Sequence, residues 1–292
     1  MRQSSDTPRC SNRARLRGFL VFGVLLIAPL LDLAAGVLVA PTVVFLSDHQ
    51  RTGRMTVQNP TDKPQEVGIR FSFGLPESDS LGNVHVSLSD SNVTDPHSAI
   101  DWIKAFPRKV VVPPGATQIV RFVANPPADL ANGEYWARIV VRAQDAEVAI
   151  PEASEEGAIT TQLNMVMQTA IMLKYRNGDL LTQIEVTNVD VETDSTGESV
   201  SVTVDMVSRG TASYVGMLNC RLLDADKREI SKTTTQLAVY HDLRRRARLP
   251  ITGIDFRKPY QVEVLVTTKG RTDIAAEDMI TGNEVLLTQS LE

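Results

Sequence analysis

Cysteine is almost missing: Cys10 and Cys220 are the two in 292 residues. Cys10 sits in an opening segment with the marks of a removable leader, which leaves Cys220 without an intramolecular partner. A disulfide framework of the kind that staples small secreted domains is therefore excluded. Hydrophobic burial must hold the fold, which favours full-sized β-sandwiches. Within Met217-Leu218-Asn219-Cys220-Arg221-Leu222-Leu223, Cys220 reads as a small apolar residue, not a nucleophile. Histidine is scarce too. His49, His85, His97 and His241 have no metal-ligand spacing with one another, so the sequence assigns no metal. No Gly-x-Ser-x-Gly, no phosphate-cradling glycine loop and no paired carboxylates tied to a nucleophile occur, so neither catalysis nor a cofactor is expected. Positive charge is also short. Residues 1–36 hold five of the 30 basic and two of the 35 acidic residues, leaving 25 against 33, a net charge of −8. That excludes nucleic acid, which wants a basic stripe. After residue 36 no apolar run is long enough to span a membrane, and no internal repeat is visible.

The opening segment does carry positive charge. Arg2, Arg9, Arg13, Arg15 and Arg17 face a single acid, Asp6, and the apolar run Gly18 to Ala35 ends in the small residues Ala34-Ala35-Gly36. Basic start, apolar middle and small-residue exit describe a secretory signal peptide over residues 1–36. A signal anchor competes, because the run approaches the roughly 20 residues that cross a bilayer. Pro29 and Asp32 interrupt the run and favour cleavage. The remainder is expected to work outside the cytosol, in the periplasm or at the cell surface.

Beyond residue 36 the segments alternate with period two and are rich in Val, Ile, Thr and Phe, the pattern of half-buried strands. Strands are expected over 37–46, 54–58, 66–73, 84–86, 109–112, 117–123 and 133–141. The run Thr160 to Arg176 has no breaker. Its methionines and leucine would suit a helix, but Leu163, Met165, Met167, Thr169, Ile171, Leu173 and Tyr175 fall on one face of a strand. At about 3.3 Å per residue it would reach roughly 50 Å, so it bends or runs along a domain edge. Asn177-Gly178-Asp179 is a turn signal. Shorter strands follow over 183–187, 200–207, 214–223, 233–240, 246–249 and 260–268, with a hairpin turn at Asp224-Ala225-Asp226-Lys227. In the tail, Ile274 to Met279 reads as a helical turn or loop and Glu284 to Thr288 as a strand or loop. The expected architecture is all-β: two immunoglobulin-like β-sandwiches in series, 37–176 and 177–292.

Three local patterns in order resemble the periplasmic pilus (fimbrial) chaperones of chaperone–usher systems. They are Pro114-Gly115-Ala116-Thr117-Gln118-Ile119-Val120-Arg121, then Asn132-Gly133-Glu134-Tyr135-Trp136, then Leu163-Asn164-Met165-Val166-Met167-Gln168-Thr169 running into Leu173-Lys174-Tyr175-Arg176. The opening Ala40-Pro41-Thr42-Val43-Val44-Phe45 and Val57-Gln58-Asn59-Pro60 also match the family's first two strands. The resemblance covers residues 37–176. It implies a non-catalytic chaperone that binds secreted, pilin-like subunits by edge-strand donation and works with an outer-membrane usher. It places client contacts at Leu163, Met165, Met167 and Thr169, and an Arg/Glu network at the domain interface with Glu134 and Arg176. The family's carboxylate-anchoring Arg and Lys positions fall on Val43 and Met172, neither of which can pair with a carboxylate. Arg54 and Lys174 stand nearby as substitutes.

Each assignment has a plainer competitor. The apolar donor residues could face their own core, and Glu134 and Arg176 could be ordinary surface charges. Trp136, in an alternating strand, reads as core sooner than as a ligand platform. Arg244-Arg245-Arg246 with Arg248 reads as a solvated strand end or as a contact for acidic lipid or glycan. The competing function is a non-catalytic envelope or cell-surface binding module on the same sandwich, since a fold does not fix a function.

Overall fold

The computed structural model describes residues 36–91, 93–146, 165–194, 197–251 and 259–291. The leader, up to residue 35, and Leu163 lie outside them. Pro41 splits the first expected strand in two, because a residue without an N–H cannot continue a ladder. The halves, β1 (Leu38–Ala40) and β2 (Val43–Ser47), then join different sheets. After them come β3 (Thr52–Gln58), β4 (Gln65–Ser72), β5 (Pro76–Ser78), β6 (Val84–Val86), β7 (Ile103–Phe106), β8 (Lys109–Val112), β9 (Thr117–Ala124), β10 (Gly133–Asp145) and β11 (Val166–Asn177). Of these, β5 and β7 had no separate signal in the sequence. The four-stranded sheet β1-β3-β9-β7 packs on the five-stranded sheet β2-β11-β10-β4-β8. Their shared core holds Met55, Phe122, Ile139, Leu173 and Tyr175.

Seven more strands build the second sandwich: β12 (Ile184–Thr193), β13 (Ser199–Ser208), β14 (Tyr214–Leu223), β15 (Glu229–Val239), β16 (Asp242–Pro250), β17 (Tyr260–Thr267) and β18 (Val285–Leu291). They form the sheets β12-β13-β16 and β15-β14-β17-β18 around Val202, Val204, Leu218, Leu222 and Val264. The tail holds both a short 3-10 turn, Ala276–Asp278, and a closing strand. The Asp224 turn forms as expected, with Lys227 N–H donating to the Asp224 carbonyl. Among the described residues no helix is long and apolar enough to cross a membrane.

In the arginine run Arg248 is exposed, while Arg244, Arg245 and Arg246 are half-buried and their strand edge is covered. Arg244 and Arg246, two apart on β16, send their main-chain N–H groups to Ser78 Oγ (2.9 Å) and the Gly82 carbonyl (3.0 Å). The β5–β6 hairpin thus caps the outer edge of β16, one of the ways sheets hide an edge. Gly82 is required there. It has φ +78°, and a Cβ would lie 2.7 Å from Arg246 N. The Arg244 guanidinium turns back to Asp205 and Asp190 at 2.9 and 3.2 Å.

Cys220 is fully buried in the second core, and burial pushes its thiol up to about 12. In protein lacking residues 1–36, thiol-specific reagents should leave Cys220 untouched in native buffer and label it fully in denaturant. Rapid labelling of the native protein would contradict this packing.

Candidate functional site

Period-two alternation gives β10 and β11 two chemically different faces. One face, with Tyr135, Ala137 and Ile139 on β10 and Ile171, Leu173 and Tyr175 on β11, builds the first core. The other presents Glu134 and Trp136 beside Met172, Lys174 and Arg176, and this face meets the second sandwich. Trp136 is buried, but against Leu75, Met172 and Tyr240, outside the main core. Tyr240 comes from the end of β15, and its ring meets Trp136 edge-on at 4.8 Å.

Glu134 is 1 % exposed and lies opposite Arg176 in the β10–β11 register. Its Oε1 accepts from Lys174 Nζ (2.8 Å), Trp136 Nε1 (2.8 Å) and Ser213 Oγ (2.5 Å), and its Oε2 meets Arg176 Nε at 3.3 Å. Arg176 also donates to the Asp278 main-chain carbonyl at 2.7 Å and stacks over Phe45. Both charges of the expected pair therefore belong to the first sandwich. The second contributes the Ser213 hydroxyl and the Asp278 main-chain carbonyl. Lys174, named above as a substitute anchor, is the principal partner of Glu134 and is itself buried. Its place in β11 between Leu173 and Tyr175 gave it the right parity; its burial had no sequence signal.

Val43 and Met172 lie directly opposite each other in the parallel β2–β11 ladder. Both pack in the apolar cluster around Trp136 and Tyr240, so this position contributes apolar contact between the sandwiches. A different pair of cations stands nearby. Arg54 and Arg121 are register partners across β3 and β9, both exposed, and both line a cleft of about 1040 Å³ with Val43, Phe45, Arg176 and Asp278.

The decisive geometry is at the edge of β11. Its partner β2 covers only Met172–Arg176. Over Val166–Ile171 one flank is held by β10, and no strand among the described residues pairs with the other. Among the described residues the strand is thus flanked on both sides over Met172–Arg176 and on one side over Val166–Ile171. Met165 is 64 % exposed and Val166 41 %, whereas Met167 and Thr169 are half-buried. Met167 rests on Gly36, where φ is +88° and a Cβ would lie 2.5 Å from its sulfur.

No protein-family model matches the sequence, and no curated protein does. Among solved structures, the YadV chaperone overlaps at 12 % identity and a TM-score of 0.44, covering 87 % of this chain and 99 % of that one. The Pseudomonas aeruginosa CupB2 chaperone overlaps at 11 % and 0.44, covering 87 % and 100 %. The CsuC–CsuE chaperone–tip subunit complex of Acinetobacter baumannii overlaps at 12 % and 0.42, covering 87 % and 98 %. The likeness is to pilus chaperones. At these identities and TM-scores it assigns no role to any single side chain here.

The ion network generates a pH prediction. Burial alone would raise the Glu134 carboxyl, but Lys174 and the hydrogen bonds from Lys174, Ser213 and Trp136 outweigh it and hold the group at about 2, against an ordinary 4.5. A folded value below the unfolded one means the network's stability is complete above pH 4.5. It is lost as pH falls from 4.5 towards 2. Glu134→Gln should flatten that acid limb and cost about 3–5 kcal/mol at neutral pH, because Lys174 is left buried without its counter-charge. Adding Lys174→Met should recover part of the loss. Urea unfolding of the three proteins at pH 7 and pH 3 reads both effects.

Proposed function

We propose that this protein is a non-catalytic, chaperone-like binder of secreted protein subunits, exported to the periplasm, that captures an extended client segment along the open edge of β11. The observation that carries this reading is that no strand among the described residues pairs with the outer flank of Val166–Ile171, which begins beside exposed Met165. Unused edges are normally blunted by lysine, proline, a bulge or a cover. The sequence Val166-Met167-Gln168-Thr169-Ala170-Ile171 has no charge and no proline, and the β10–β11 register is unbroken along it. Such an edge offers main-chain hydrogen bonds to an added strand, with alternate side chains giving selectivity. Each apolar residue seated in a client groove would contribute roughly 1.5–3 kcal/mol by burial. Leu163, Met165, Met167 and Thr169 are the donor positions we assign, within a client-binding part spanning 37–176; residues 177–292 form the part that braces it. A pilin-like subunit is the client, and an outer-membrane usher is the acceptor that the same reading implies.

Arg54 and Arg121 extend the proposal to the client's end. Like charges opposite each other on neighbouring strands destabilise a sheet, and neither guanidinium meets a carboxylate among the described residues. A pair retained at that cost beside a cleft suits an anionic group, and we assign it the client's terminal carboxylate in place of Val43 and Met172.

Two outcomes test this reading. Met165→Asp/Met167→Asp should keep the thermal midpoint of the wild type within a few degrees and lose the co-purifying periplasmic subunit; a client retained through both charges would end the edge-capture mechanism. Arg54→Ala/Arg121→Ala should leave the isolated protein equally or slightly more stable while weakening the same complex. Unchanged client affinity would remove the carboxylate assignment and leave edge capture standing. A protein that retains no secreted subunit at all would favour the envelope or cell-surface binding module.

A further inference from the structure

Folding gathers three potential metal ligands that the sequence keeps far apart. Asp95 and His97 lie in the loop between β6 and β7, and His241 in the turn between β15 and β16. Their ligand atoms all lie within 4.8 Å of one another. His241 Nε2 is 2.8 Å from Asp95 Oδ2, and His97 Nδ1 is 3.3 Å from Asp95 Oδ1. The cluster joins the sandwiches, since each half is fastened to its own. His97 N–H donates to Asp95 Oδ1, Trp136 N–H to the His97 carbonyl, and Ala99 N–H to the Trp136 carbonyl. On the other side, Ser208 N–H donates to the His241 carbonyl at 2.7 Å.

Two features separate this cluster from an ordinary surface ion pair. His97 Nδ1 is buried and makes no hydrogen bond of acceptable geometry, although buried polar atoms are almost always satisfied. Both imidazoles are also held against Trp136, with ring centroids at 4.8 and 5.5 Å. Zinc bonds of about 2.0–2.2 Å to nitrogen and oxygen put tetrahedral ligand atoms roughly 3.3–3.5 Å apart. The His97–Asp95 separation is already at that value.

We propose that Asp95, His97 and His241 form a divalent transition-metal site, best suited to zinc, that straps the two sandwiches together. Two imidazoles and one carboxylate are a borderline N₂O donor set that favours zinc over calcium or magnesium. Three protein ligands leave a fourth position for water, and Asp95 and His241 line a cleft of about 560 Å³ that provides an entry path. The site is independent of the β11 edge, and its ligands come from both sandwiches, so its occupancy bears on how firmly they are joined.

The test uses untagged protein lacking residues 1–36, stripped with chelator and titrated with zinc sulfate or cobalt chloride. One metal per chain should bind. Cobalt should give the visible bands of a tetrahedral site, and binding should perturb Trp136 fluorescence. His241→Ala, His97→Ala and Asp95→Asn should each weaken zinc by at least about 10-fold, the smallest loss expected when even an outer-shell partner is removed. His49→Ala and His85→Ala, whose rings lie elsewhere on the surface, should bind as wild type. Zinc should raise the melting temperature of wild type and leave His241→Ala unchanged. Because His241 is half exposed, its removal should leave the fold intact, which circular dichroism checks. Zinc binding that is equal in wild type and His241→Ala, or that follows His49 or His85, would reduce the cluster to a hydrogen-bonded ion triad and overturn the proposal.

Discussion

A carboxylate with almost no contact with water survives only where cations and donors surround it, and Glu134 is such a group. Lys174, Arg176, Trp136 and Ser213 all converge on it. Taking one member away strands a charge in a dry interface, whereas replacing the network by apolar residues could be neutral. Such a network contributes less to total stability than to fixing one arrangement. Glu134 must lie beside Lys174 and Arg176, which holds the register of β10 against β11, and it must reach Ser213, which holds the first sandwich against the second. The neighbouring apolar cluster of Leu75, Trp136, Met172 and Tyr240 excludes water and keeps the electrostatics strong.

That fixed register sets up the open edge. With β11 locked over Met172–Arg176 by β2 on one side and β10 on the other, β10 is the sole strand paired with Val166–Ile171 among the described residues. The shortness of β2 is therefore what leaves that flank without a strand partner among the described residues. Pro41 removes the N–H that would have let Val37–Leu46 run as one strand, and Leu38–Ala40 go to the opposite sheet. Had the whole segment paired with β11, the exposed flank would be covered. The same side-chain parity that buries Ile171, Leu173 and Tyr175 continues outward through Thr169, Met167 and Met165, which grow more exposed beyond the reach of β2.

Much of this was legible in the sequence because period-two alternation is a local signal. The alternating run ending at Arg176, the turn at Asp224 and the strand over Tyr214–Leu223 needed nothing beyond their own residues. What escaped was non-local. Lys174 stood in the sequence as a cation free to substitute in a carboxylate anchor, because its burial depends on Ser213 and Tyr240, 39 and 66 positions further along the chain. The arginine run suggested a solvated end because a hairpin more than 150 residues earlier supplies its cover. Trp136 had the composition of a core residue, but its partners belong to the interface. His97 and His241 escaped every spacing rule, since such rules describe ligands on one local element.

Among the described residues Cys220 is the sole cysteine and is free, so no disulfide links the two sandwiches. A disulfide-linked interface would tolerate poor packing; this one must be joined by complementary contacts. The charged network, the apolar cluster and the β5–β6 hairpin on β16 are three of the fastenings between the same two bodies, beside the Asp95–His241 contact. They fail under different conditions: the network at acid pH, the cluster with loss of apolar contact, and the hairpin with loss of its main-chain bonds. Loosening any one leaves the others still holding the first sandwich against the second. An uncharged, proline-free edge is safe in a protein only while the strand that carries it cannot shift register and expose more of itself. The redundancy of the interface supplies that restraint, because residues Met172, Lys174 and Arg176 of the same strand are fixed in it.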